Sequence, residues 1–179
     1  IKFDCQAASI TFLASGAAST WQDVRPEWPD RPINIYSPGT DSGTFDYFKE
    51  VVAGKKGSIR SDMSVSEDDN VLVRGVSGDE GGIGFFGVAY YLENQDTLRA
   101  MPIVNKAGKA VVPSPKTIED GSYNPFSRPL FIYVKANAAR KPFVRAFVDF
   151  YLRNAAKSAS ELGYVGLPEV IYGRARETF

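Results

Sequence analysis

The chain has 179 residues, 21 Lys plus Arg against 21 Asp plus Glu, no histidine and one cysteine. Formal neutrality argues against a nucleic-acid binder held by phosphate contacts and against a polybasic membrane anchor, and the lack of histidine excludes Ser-His-Asp or Cys-His catalysis and most zinc sites. With 44% hydrophobic and 13% aromatic residues the chain can build a core, as one domain or two small lobes.

No apolar stretch in the sequence reaches the length of a bilayer span. Ile1-Lys2-Phe3-Asp4 is too polar for a secretory signal, so an exported form is expected to have shed one. Cys5 has no internal disulfide partner and reads as a small buried apolar residue, and Phe3-Asp4-Cys5 does not resemble a lipoprotein attachment motif.

In chain order, the Ala/Ser-rich stretch 6–18 predicts a weak helix around Ile10, Phe12 and Leu13, and 21–32 a Pro-rich aromatic loop. A short strand comes next at 33–36, then a helix over 43–53 with Phe45, Phe48 and Val52 at helical spacing and Gly54 as its stop. Ser64 with Glu67 forms a capping-box pattern, predicting a helix to Arg74 that stops at Gly75. The apolar run 83–88 predicts a buried strand, 90–94 a helical turn, and 98–104 another strand. Residues 105–126 read as loop, with a hairpin at Lys106-Ala107-Gly108-Lys109, and 130–134 as a strong strand. Pro142 opens a long helix whose Phe143, Val144, Phe147, Val148, Tyr151 and Leu152 share one face, expected to pack as core. A shorter helix ends near Gly163, and the tail from Leu167-Pro168 is mixed. Alternating strands and helices make the class α/β.

The chemistry concentrates between the first strand and its helix, in Ser37-Pro38-Gly39-Thr40-Asp41-Ser42-Gly43-Thr44. A strand that turns tightly into a helix N-terminus gathers unpaired N–H groups and the positive end of the helix dipole at one spot. Gly43 lets backbone approach a ligand, and Ser42 and Thr44 add hydroxyl donors without charge. The same residues also describe a plain helix cap, with Asp41 or Ser42 satisfying the first N–H groups. The turn is neither a Walker loop nor a dinucleotide fingerprint.

Ser37 to Thr44 with Phe45-Asp46-Tyr47-Phe48 resembles the anion-binding turn of the phosphate-binding proteins of ABC transporters, the PstS/SphX group. Four further blocks fit that group in its order: Trp21 to Pro29, Ser64 to Val73, Gly82 to Tyr91 and Ser127 to Val134. The resemblance implies a periplasmic-binding-protein fold of type II, two α/β lobes clamping a ligand. On that map residues 1–125 are the second lobe, nearly complete, and 126–179 the returning strand and helices of the first, whose N-terminal part has no counterpart. The expected consequences are an orphaned apolar face on 142–153, which repacks, exchanges with a second copy or covers another chain, and a chain that binds anion weakly alone.

The resemblance also implies a function: high-affinity capture of inorganic phosphate for import, with an ABC-transporter permease as partner and a periplasmic or cell-surface location. It carries over Ser42, Gly43 and Thr44 as phosphate contacts, with no cofactor and no metal. Asp41 is either a cap or an acceptor for a phosphate proton, and the cap is preferred. Where many phosphate binders place an arginine, four residues before the Ser of Ser-Gly-Thr, this chain has Pro38. Arg60, Arg74 or Arg128 is left to supply the charge. Three rivals stand beside this reading: a sulfate or molybdate receptor, an interaction protein using the orphaned surface, and an enzyme built on the carboxylate pairs Asp68-Asp69 or Asp79-Glu80.

Overall fold

The computed structural model describes residues 7–179. Cys5 and the first residue of the expected 6–18 helix lie outside them. That helix forms as α1 (Ala7–Ala14), with Ile10, Leu13 and Ala14 buried. The aromatic loop carries one turn of helix, α2 (Trp21–Val24), closed by a capping box between Thr20 and Asp23. Trp21 is buried, and its indole N–H donates to the Gly81 carbonyl at 3.1 Å.

A parallel three-stranded sheet comes next along the chain. β1 (Asn34–Ser37) lies in the middle, flanked by β2 (Ser64–Val65) and β3 (Gly82–Gly84), in the order β2-β1-β3. The register sets Tyr36 beside Ser64 and Ile35 beside Ile83. α3 (Gly43–Ala53) joins β1 to β2, and α4 (Asp69–Gly78) joins β2 to β3. One buried cluster is Leu13, Ala18, Trp21, Ile33 and Ile35; a second is Ile10, Ala14, Val52 and Ile103. Phe48 of α3 stacks on Phe85 at 3.9 Å and on Phe126 at 5.8 Å, tying α3 to the sheet and to the chain beyond it.

The next elements are α5 (Val88–Glu93), the antiparallel pair β4 (Ile103–Val104) and β5 (Ala110–Val111), and α6 (Pro115–Glu119). The hairpin falls where its turn residues predict, with Asn105 accepting from the N–H groups of Ala107 and Lys109. The chain finishes with α7 (Pro142–Glu161) and α8 (Glu169–Thr178), packed on each other.

Several expectations are corrected. Ser64 is not a helix cap, because it pairs with Tyr36 as strand; the Asp68 carboxylate caps α4 instead, accepting from Asn70 N–H at 2.9 Å. α4 runs through Gly75 to Gly78, and the glycine leaves room for the Tyr36 ring, which packs where a Cβ at that position would stand. Only residues 82–84 of the run 83–88 and its approach join the sheet, and Val88 already begins α5. Of 98–104 only Ile103 and Val104 form a ladder, Pro102 having no N–H to give.

The segment 130–134 pairs with no strand among the described residues, and Leu130, Phe131 and Tyr133 are 67%, 69% and 91% exposed. The two helices expected over 142–163 are one continuous α7, and the mixed tail is α8. On the α7 face expected to be core only Val148 is buried, whereas Phe143 and Phe147 are 70% and 66% exposed. Among the described residues no helix is long and apolar enough to cross a membrane.

Candidate anion-binding site

β1 is the strand at which the chain changes direction: one crossover leaves it towards β2, and the next passes over it to β3. In open parallel sheets such a switch point opens a crevice at the carboxyl ends of the strands. The turn after β1 sits there. Ser37 closes the strand fully buried, its hydroxyl donating to the Pro38 carbonyl at 2.8 Å. Pro38 and Gly39 are buried too, and the chain emerges at exposed Thr40 and Asp41. Ser42 N–H donates back to the Gly39 carbonyl at 3.0 Å, which fixes the turn.

Ser42 is the N-cap of α3. Its extended backbone (φ −82°, ψ 129°) turns its hydroxyl to accept from Thr44 N–H at 3.2 Å. The helical ladder begins only with Asp46 N–H on the Ser42 carbonyl, at 3.1 Å. The N–H groups of Gly43, Thr44 and Phe45 therefore precede the ladder. Among the described residues no backbone carbonyl accepts from Gly43 or Thr44. Thr44 N–H is held by the Ser42 hydroxyl, the Gly43 N–H by no backbone carbonyl, and both residues are exposed at the turn. Such a set holds an oxyanion through neutral donors and avoids burying a full counter-charge.

The arginines divide. Arg128 stands at the turn: its Nη2 donates to the Gly43 carbonyl at 3.1 Å, and it lies 3.3 Å from where a Cβ on Gly43 would be. Any residue but glycine at position 43 would press on the guanidinium. Arg60 is committed elsewhere. It grips Asp62 through two bonds of 2.6 and 2.5 Å and donates to the Ala18 carbonyl at 3.2 Å. The hydrogen bonds from Arg60 hold the Asp62 carboxyl down at about 2. Arg74 is exposed on α4.

Asp41 is exposed in the turn and is not the cap, a role Ser42 takes. Three of the four carboxylates in the pairs Asp68-Asp69 and Asp79-Glu80 have structural tasks. Asp68 caps α4, Asp79 accepts from Asn34, Tyr36 and Gly81, and Glu80 pairs with Arg31 at 2.5 Å. Among the described residues no three His, Cys, Asp or Glu side chains are grouped to hold a metal ion.

Sequence reasoning misses two neighbours of the turn. Glu67 lies against Gly39, its carboxylate filling the space a Cβ there would need. Tyr47 carries Arg128 on its ring, with Cζ 4.6 Å from the centroid, and its hydroxyl donates to the Pro125 carbonyl. The spacing from Gly43 to Tyr47, one helical turn, is the available signal for the second. No local pattern announces Glu67. Ser42, Gly43, Thr44, Tyr47 and Arg128 all line a cleft of about 1880 Å³, whose wall also includes Phe147 and Phe150 of α7.

Comparison with known proteins bears on the family and the fold. Residues 10–155 match the model of a PBP superfamily domain. Protein SphX of Synechococcus elongatus is 51% identical over 166 residues, which are 93% of this chain and 49% of that protein. The phosphate-binding protein PstS of Staphylococcus aureus (strain USA300) is 42% identical over 161 residues, 89% of this chain and 48% of that protein. The chain spans about half the length of the curated relatives it matches. Among solved structures, a possible phosphate binding protein from Planctomyces limnophilus superposes with a TM-score of 0.88 at 37% identity, over 99% of this chain and 64% of that one. An ABC-type phosphate transport receptor from Vibrio cholerae gives a TM-score of 0.76 at 18% identity, over 93% of this chain and 64% of that one, a likeness of fold.

Proposed function

Since the chain belongs to the PBP superfamily, we propose that it captures inorganic phosphate at the N-terminus of α3 for import by an ABC transporter, and that it is not an enzyme. The observation that carries this reading is the exposed N-terminus of α3, where the Gly43 N–H meets no backbone carbonyl among the described residues, the Ser42 hydroxyl holds Thr44 N–H, and Arg128 reaches the Gly43 carbonyl. Ser42 and Thr44 add hydroxyls, Gly43 close backbone approach, and Arg128 the positive charge; Asp41 is a peripheral acceptor. Residues 1–125 act as the second lobe of the two-lobed fold and 126–179 as the returning part of the first. The partner is a membrane permease and the location the periplasm or cell surface.

Calorimetric titration with phosphate, and competition with sulfate and molybdate, tests this. Phosphate is expected to bind, weakly because one lobe supplies only part of the contacts, and sulfate not to compete. Unperturbed binding in Thr44→Val, or preference for sulfate, overturns the reading.

The exposed aromatic face of α7 supports a second role. Phe143, Phe147 and Phe150 are 65–70% exposed on one helix, an exposed aromatic face of the kind that marks an interaction surface. We propose that this face seats a second polypeptide surface, a second copy of the chain included. Light scattering over a range of concentrations reports it, and a strict monomer throughout counts against self-association.

A further inference from the structure

The positive charge at this site does not come from the turn. It comes from Arg128, 85 positions after Gly43, and a side chain outside the Ser-Gly-Thr motif holds it there. The Tyr47 ring lies under the Arg128 guanidinium at 4.6 Å, and the Tyr47 hydroxyl bonds the Pro125 carbonyl. Arg128 then returns to the Gly43 carbonyl at 3.1 Å. These contacts close a ring: from α3 through Tyr47 to Pro125, along the chain to Arg128, and back to the first residue of α3.

A guanidinium has five N–H donors, and stacking on an aromatic face leaves its edge free to donate. Among the described residues no carboxylate is paired with Arg128. We propose that Tyr47 is a positioning residue for anion binding. It clamps the 125–128 segment to α3 and holds the Arg128 guanidinium beside the first-turn amides, in place of the arginine that Pro38 displaces. The inference rests on the phosphate reading of the site. Without the ring and its hydroxyl bond, an exposed arginine gives up its rotamer freedom at each binding event, and the charge is worth correspondingly less.

The test is phosphate titration of the full chain at two salt concentrations, with NMR of the Arg128 side chain, for the wild type, Tyr47→Phe, Tyr47→Leu, Arg128→Gln and the Tyr47→Leu/Arg128→Gln pair. Arg128→Gln is expected to weaken phosphate about tenfold and to flatten the salt dependence. Tyr47→Leu should lose most of the same factor, Tyr47→Phe should keep most of the affinity, and the pair should be no worse than Arg128→Gln alone. Arg128 resonances should be shifted upfield by the ring in wild type and Tyr47→Phe, and not in Tyr47→Leu. Where Tyr47→Leu fails to fold, Tyr47→Met replaces it. A double variant that loses the product of the two single losses overturns the proposal, as does wild-type affinity in Tyr47→Leu or an unshifted Arg128 in the wild type. If the wild type takes up no phosphate, the phosphate reading itself falls; if it binds phosphate while Tyr47 and Arg128 act additively, only the Tyr47 proposal does.

Discussion

Ser42 and Thr44 are both hydroxyl residues in the first turn of one helix, yet they do different work. The Ser42 side chain already accepts from Thr44 N–H, so Ser42→Ala removes a cap and should cost about 1 kcal/mol of stability in urea unfolding as well as phosphate affinity. Thr44→Val keeps the cap and should lower affinity with stability changed by less than about 0.5 kcal/mol. The comparison of the two separates capping from binding. Asp62 shows the same logic in its titration. Its folded carboxyl is held at about 2 by Arg60, below an ordinary value near 3.9. The stabilisation is therefore complete above about pH 4 and fades as pH falls from there towards 2. Thermal melts across that window should show a steeper loss in the wild type than in Asp62→Asn.

At the scale of elements, packing overrules local preference. Gly75 reads as a helix stop, and in isolation Gly75→Ala would favour α4 by about 1 kcal/mol. The Tyr36 ring occupies the space of the added methyl, and its hydroxyl is fixed to Asp79 at 3.0 Å, so it cannot swing away. Gly75→Ala should destabilise by about 1–3 kcal/mol in urea unfolding, the range for an overpacked site. The strand reading of 130–134 is overruled in the opposite way. Its residues have the right composition, but a strand needs a neighbour to bond, and none pairs with it among the described residues. Ser64 goes the other way again: its capping pattern loses to the ladder that Tyr36 offers.

Over the whole molecule, Leu13 of α1, Ile35 of the sheet, Val52 of α3 and Leu72 of α4 are buried, while the apolar stripe of α7 stays exposed, Val148 being its one buried member. If that stripe seats another surface, Phe147→Glu with Phe150→Glu should leave the melting temperature within a few degrees, since both are exposed, and should abolish any concentration-dependent rise in mass seen by light scattering. A large fall in melting temperature would instead mean that the face packs within the chain.

Much of the site was legible in the sequence because its ingredients are local. The order strand, turn, helix and the positions of Ser42, Gly43 and Gly54 follow from residues within a few places of each other, where capping and backbone preference act directly. The α/β class follows from alternation for the same reason. What only the tertiary structure decided depends on groups far apart in the chain. The arginine at the turn is Arg128, which lies over the Tyr47 ring and reaches the Gly43 carbonyl, while Arg60 is drawn off by Asp62 and the Ala18 carbonyl. No spacing rule reaches across such separations, because the energy that selects a partner is realised only when the chain has folded and brought the two groups within a few ångströms.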